Sequence, residues 1–309
     1  MSQEIVNGLP EARRHIIDVA YQISERRTPM PYASSLKNIQ NPKFLVYGKA
    51  GSGKTSLFRT LPGRKFLYMF DPAGLNSIQP GNDIYYEEFL IDTVPMSVNT
   101  LKGVKDSASP SYSAMETYSR WENDFQNRLD KNWFTDASVE IDGVKGGFDA
   151  IGFDSLTTLT DIVMDRILQL NQRAGKNPEL GDYGILTNTL ARIIRNAAAT
   201  NCILYLTAHE QASQDKLLRT VSNEIMVPGQ LKIKLPLLFS EIYHATGCIG
   251  TDGKPLYQIA TIADESYSLA RCSETVRQAG LGLIQDVTIK GIDPTQFGLG
   301  KIVRKVRGL

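Results

Sequence analysis

Little in this chain ties it to a membrane, an oxidising compartment or a polyanion. In 309 residues no eighteen apolar residues run together, as a membrane-spanning helix would require. The opening stretch MSQEIVNGLPEARRHIIDVAYQ lacks the unbroken apolar core of a secretory signal. Only three cysteines occur, Cys202, Cys248 and Cys272, far apart and without any C-x-x-C pair. That spacing argues against a disulfide framework or a cysteine zinc site and fits a reducing compartment. Charge of one sign is missing too: 34 Lys and Arg against 33 Asp and Glu leave a net +1. Any polyanion must therefore be met by a local patch. From these absences we expect a soluble, cytoplasmic protein with no membrane partner.

What is present is a short run, YGKAGSGKTS, directly after the apolar FLVY. Gly48-x-x-x-x-Gly53-Lys54-Thr55 is the P-loop spacing, with a strand-like run before it and a helix-like run from Ser56 to Leu61 after it. Glycines let successive backbone N–H groups converge on an anion, and the following helix adds its positive end. Lys54 would bridge the outer phosphates of ATP and Thr55 would offer its hydroxyl to Mg2+. The nucleotide-binding set is Gly48, Lys49, Ala50, Gly51, Ser52, Gly53, Lys54, Thr55 and Ser56.

Along the chain, Pro10 to Arg27 reads as an amphipathic helix and the proline-bearing stretch after it as an arm. The expected division is an N-terminal helix and arm at 1–40, a core at 41–272 with a peripheral insertion at about 99–147, and an extension with a basic, solvated tail at 273–309. Within the core, buried strands are expected at 44–47, after Arg64, at 150–153 and in CILYLTAHE, with helices after Ser155 and from about Tyr183 to Thr200. Their alternation predicts an α/β fold, a mostly parallel sheet flanked by helices. The ligand site belongs at the carboxyl ends of the strands, where Gly48, Asp71, Asp154 and His209 fall. Residues 211–230 read as polar and turn-rich, and 241–263 as a β-hairpin turning at Asp252-Gly253.

In order, YGKAGSGKT, FLYMFDPAGLNSI, AIGFDSLTTL and LYLTAHE resemble the RecA-like P-loop ATPases, most closely the small phage recombination ATPases of the Sak type. The resemblance covers roughly residues 43–272. It implies that Asp154 anchors magnesium together with Thr55, and that His209 senses the γ-phosphate. Serine at 155, where AAA-type enzymes usually carry glutamate, favours the RecA-like branch. Asp71 becomes the candidate for polarising the attacking water, in a place where the family usually has glutamate, with Glu87 and Glu88 in reserve. Two loops fall where the family meets DNA, placing Arg173 and Lys176 in one and Lys216 and Arg219 in the other. Arg271 falls where relatives reach a neighbour's nucleotide, although Leu269 replaces the usual lysine. The implied partners are single-stranded DNA, further copies of the chain in a ring or filament, and a single-strand binding protein, in the cytoplasm of a phage host.

Other classes that use a P-loop fit less well. A small-molecule kinase would want an arginine-rich lid. Asp71-Pro-Ala-Gly74 matches the D-x-x-G of GTPases, but no N-K-x-D guanine reader follows. No L-S-G-G-Q signature of ABC engines occurs. An ATP-driven remodelling or helicase-loading protein remains the alternative.

Overall fold

The computed structural model describes residues 41–79, 83–91, 110–215, 220–278, 280 and 284–307. The expected N-terminal helix and arm, Lys216 and Arg219 lie outside them.

Three short apolar runs form the centre of the sheet. Strand β1 (Lys43–Gly48) is buried from its second residue, and β2 (Lys65–Met69) and β6 (Ala150–Asp154) are buried throughout. Runs this continuous suit strands covered on both faces. With β3 (Ile84–Glu88), β7 (Ile203–Asp215), β9 (Glu241–Ile249), β10 (Pro255–Ala260) and β11 (Ile284–Asp286) they form one sheet. Its order is β11-β10-β9-β1-β7-β6-β2-β3, with β8 (Thr220–Ile225) added to β7. The inner pairings are parallel, β1 with β7 and β9, β6 with β7 and β2, and β2 with β3. Antiparallel pairing appears where β9 turns into β10, β10 meets β11 and β7 turns into β8. A small separate hairpin joins β4 (Glu140–Ile141) to β5 (Val144–Lys145).

Side chains alternate between faces along a strand, so each strand feeds two cores. Leu45 and Ile151 pack with Tyr118 and Trp121 of α3 (Pro110–Asp130), Leu159 and Val163 of α4 (Leu156–Leu170), and Leu186 and Leu190 of α5 (Leu180–Ala199). On the other face Val46 and Tyr205 pack with Leu57 and Phe58 of α1 (Lys54–Phe58). Also on that face are Ile78 of α2 (Leu75–Ile78), Val276 of α7 (Glu274–Gln278) and Ile302 and Val303 of α8 (Gly298–Arg307). A further single turn, α6 (Leu231–Lys234), follows β8. The architecture is the expected α/β core, a mostly parallel sheet flanked by helices.

Several segments differ from expectation. The stretch read as a peripheral insertion is described from residue 110, and there Tyr118, Trp121, Phe125, Trp133 and Phe134 join the core. Trp121 stacks on Phe125 at 5.6 Å and meets Tyr68 and Phe153 edge-on. Arg128 is only 3% exposed; its guanidinium lies 4.3 Å from the Trp133 ring centroid and 2.7 Å from the Asp124 carboxylate. A buried cation is tolerated when it is paired in this way. Residues 211–230 are not simply a loop: β7 runs on past His209 to Asp215 and returns as β8. The closing basic run is a helix rather than a solvated tail. Leu299, Ile302 and Val303 of α8 are buried, while Lys301 and Lys305 face outward. Gly300 is required there, because a Cβ would lie 2.2 Å from both the Thr60 and Thr295 carbonyl oxygens. β3 was not anticipated as a strand, and it forms one edge of the sheet with Tyr85 and Tyr86 exposed.

Candidate nucleotide site

The loop between β1 and α1 closes tightly because of its glycines. Gly51 and Gly53 take φ of +75° and +83°, a region that side chains disfavour. Lys54 is 7% exposed, and its ammonium donates to the carbonyls of Gly48 at 2.8 Å and Lys49 at 2.7 Å. Burial lowers its pKa, countered by the charges of Asp154, Glu210 and Asp71. The hydroxyl of Ser52 is buried in the same loop without a hydrogen-bond partner. An orphaned donor beside a cationic amine is a fitting surface for phosphate oxygens.

Asp154 ends β6 fully buried. Its Oδ2 accepts from the Thr55 hydroxyl at 2.6 Å, and its Oδ1 accepts from Thr207. Burial pushes its carboxyl up in pKa, against the pull of those hydrogen bonds and of Lys54. Among the described residues no cluster of three or more His, Cys, Asp or Glu could hold a metal. Mg2+ does not need one, since it keeps several waters and takes phosphate oxygens as ligands. The Thr55–Asp154 pair therefore fits it, and these two side chains would hold the ion.

Asp71 leaves β2 two residues after Met69, which lies beside Asp154 in the register. Its Oδ1 accepts from Thr158 Oγ1, and its Oδ2 lies 3.5 Å from His209 Nε2. Burial works to raise the Asp71 pKa, but hydrogen bonds with His209, Thr158 and Ser155 outweigh it, so the carboxyl sits below its ordinary value. It is ionised at neutral pH, suited to orienting a water. His209 lies beside Gly48 in the β1–β7 register, and its backbone N–H donates to Thr157 Oγ1 at 2.9 Å. The fold thus gathers Lys54, Thr55, Asp71, Asp154 and His209 at one end of the sheet. Glu87 instead faces Arg128 at 3.5 Å.

Sequence reasoning missed a second layer. Thr207 could be found from register, because Phe153 pairs with Leu206 and the next step sets Thr207 beside Asp154. Glu210 and His244 form a buried carboxylate–imidazole pair on the opposite face of the sheet, and the His244 ring stacks on Tyr267 at 3.9 Å. Tyr47 pairs with both Ala208 and His244, which places Glu210 within reach across β1. Burial lowers the His244 pKa, with Glu210 opposing.

Beside the loop opens a cavity of about 1040 Å³ lined by Gly53, Ser56, Arg59, Tyr257, Thr288 and Lys290, among others. It adjoins the phosphate grip and has room for a nucleoside. The Tyr257 ring lies so close to Gly53 that a Cβ there would sit 2.9 Å from it.

The remaining predicted residues lie elsewhere. Arg271 Nη2 donates to the carbonyls of Phe239, at 2.6 Å, and Pro236 of its own chain. Arg173 is ion-paired with Asp182 at 2.5 Å and Glu179 at 2.8 Å, whereas Lys176 is exposed.

The family model described as AAA domain matches residues 40–247. Among solved structures, the chain is similar to the flagellar accessory protein FlaH from Methanocaldococcus jannaschii at 10% identity. That match covers 83% of this chain and 89% of FlaH with a TM-score of 0.34. It is also similar to a solved structure described as an ATPase domain, at 11% identity, covering 94% of this chain and 98% of that one with a TM-score of 0.36. Among curated proteins none matches. No helix of the described residues is long and apolar enough to cross a membrane.

Proposed function

This chain belongs to the AAA domain family, and on that footing we propose that it is a magnesium-dependent ATPase acting on single-stranded DNA as an oligomer, in recombination or annealing of the phage Sak type. The observation that carries the ATPase reading is the Thr55–Asp154 hydrogen bond at the foot of a P-loop whose lysine is in place.

In this reading Lys54 exchanges the carbonyls of Gly48 and Lys49 for phosphate oxygens and neutralises charge that builds during transfer. Bound magnesium supplies further charge neutralisation of the phosphates. Thr55 and Asp154 fix where such an ion sits. Asp71 orients the attacking water, carried near Asp154 by the pairing of β2 and β6, which ends at Met69 beside Asp154. Tyr257 walls the nucleoside side of the cavity.

The coupling to DNA is read from β7. The strand that bears His209 continues unbroken to Asp215 and turns back as β8, so a shift at the sensor is carried along a paired ribbon. Lys216 and Arg219 lie in sequence between Asp215 and Thr220, outside the described residues, and Lys176 is exposed in the other loop. With a net charge of only +1, DNA affinity must come from such local charges repeated across subunits.

The test is phosphate release with and without single-stranded DNA, beside binding of a labelled oligonucleotide across a salt series. DNA-stimulated turnover and salt-sensitive binding that weakens in Lys216→Ala/Arg219→Ala support the reading. Turnover without any single-strand binding at low salt would replace it with a protein-remodelling or helicase-loading ATPase.

A further inference from the structure

Threonine hydroxyls on helices usually return to the helix's own backbone, as Thr160 does by donating to the Leu156 carbonyl at 2.7 Å. Thr158, on the first turn of the same helix, does not. Its hydroxyl crosses to Oδ1 of Asp71, 87 positions away and two residues past the end of β2.

Thr158 is itself held. Its backbone N–H donates to Ser155 Oγ at 3.4 Å, and the two hydroxyl oxygens lie 3.2 Å apart. A hydroxyl carries one proton, so with Thr158 donating to Asp71 the Ser155 hydroxyl is left to donate to Thr158 or to the Asp71 carboxyl, which it also reaches. The result is that both hydroxyls of this turn bear on the carboxylate, with Thr158 bonded directly to Oδ1. A β-branched side chain on a helix also has few rotamers to explore. The adjacent Thr157 accepts from the backbone N–H of His209 at 2.9 Å, so one helical turn holds both the segment just past β2 and the middle of β7. Asp71, by contrast, stands on extended backbone (φ −104°, ψ 122°) and makes no capping bond to the turn that follows it.

From this geometry we propose that Thr158 is a positioning residue for ATP hydrolysis: it fixes the Asp71 carboxylate at the angle from which that group addresses the attacking water. The proposal rests on Asp71 being the water-orienting group. An aspartate is one methylene shorter than the glutamate that relatives use, so the direction of its carboxylate decides whether it reaches the water at all. With Oδ1 fixed to Thr158, Oδ2 is left between His209 and the solvent, and the side chain is about a quarter exposed.

The experiment is a double-mutant cycle on the full chain with ATP and Mg2+, reading kcat, the KM for ATP and thermal stability. Thr158→Val keeps shape and removes the hydroxyl, and is expected to lower kcat on the order of tenfold, the worth of one hydrogen bond to a charged group. KM and the melting temperature should stay near wild type. Thr158→Ser should restore most of kcat. In an Asp71→Asn background, Thr158→Val should add almost nothing, because the two act as one unit. If valine does not fold, Thr158→Ala removes the same hydroxyl without adding bulk. Wild-type kcat in a folded Thr158→Val or Thr158→Ala protein overturns the proposal, as does a full tenfold loss in the Asp71→Asn background. Wild-type turnover by Asp71→Asn alone refutes the water-orienting role and this inference with it. A slow Asp71→Asn beside an unaffected Thr158→Val removes only the inference.

Discussion

Thr55 and Asp154 are 99 positions apart in the chain, and their side chains meet at 2.6 Å, hydroxyl to carboxylate. Both groups belong to the P-loop chemistry, so removing either side of it should stop turnover without unfolding the protein. Lys54→Ala and Asp154→Ala are each expected to abolish phosphate release, the first by losing charge neutralisation and the second by losing the anchor of the magnesium site. Circular dichroism confirms folding, and undiminished turnover by folded Lys54→Ala protein would sink the ATPase reading.

Asp71→Asn keeps the shape of the side chain and removes its charge. Turnover should fall on the order of a hundredfold while affinity for ATP is spared, because the group acts on water and not on phosphate. A collapse of nucleotide affinity would mark Asp71 as part of the metal site instead.

The cavity beside Gly53 makes Tyr257 the natural wall for a nucleobase. Tyr257→Ala should weaken binding of a fluorescent ATP analogue about tenfold, in line with the loss of one base–aromatic stack. Single-turnover hydrolysis at saturating ATP should change little. Unaltered affinity would move the base elsewhere in the cavity.

His244 is buried, facing Glu210, Lys49, Asp264, Tyr47 and Tyr267. Its folded pKa lies below 6.5, so the unfolded chain binds the proton more readily. Stability from this group is full above about pH 6.5 and is lost as pH falls through the lowered value. The melting temperature should therefore drop between pH 7 and 5 more steeply in wild type than in His244→Gln. Equal slopes would show that the pair does not contribute.

The phosphate grip was legible in the sequence because its parts lie within nine residues and their spacing follows from the size of a phosphate. Asp154 was legible as the polar end of a buried run. Thr207, Thr158 and His244 were not, since what they touch is set by strand register and helix placement across tens of positions. The aromatic core of α3 was obscured by the charges interleaved with it, among them the buried Arg128. In α8 the eye stops at four basic residues, yet Leu299, Ile302, Val303 and Val306 follow helical spacing. Serine at 155 points from sequence away from AAA-type enzymes, while the chain matches the AAA domain family. In the fold Ser155 caps α4, accepting from the Thr158 N–H, a local role that suits a serine there in either class.

The cavity beside the P-loop also has an order of manufacture. The grip for phosphate is complete by residue 56, but the wall facing it comes from residues 249–257 and 287–290. A ribosome releases these pieces far apart in time, so the residues of the phosphate loop are made long before the strands β7 and β9 that flank β1 and before the wall that seats the rest of the nucleotide. Chains stalled at increasing lengths should thus retain a fluorescent ATP analogue only once residue 290 has emerged, and retention by chains ending before 249 would contradict this. Until then the growing polypeptide cannot draw on ATP as a folding ligand, and its early stability rests on the sheet and the aromatic core alone.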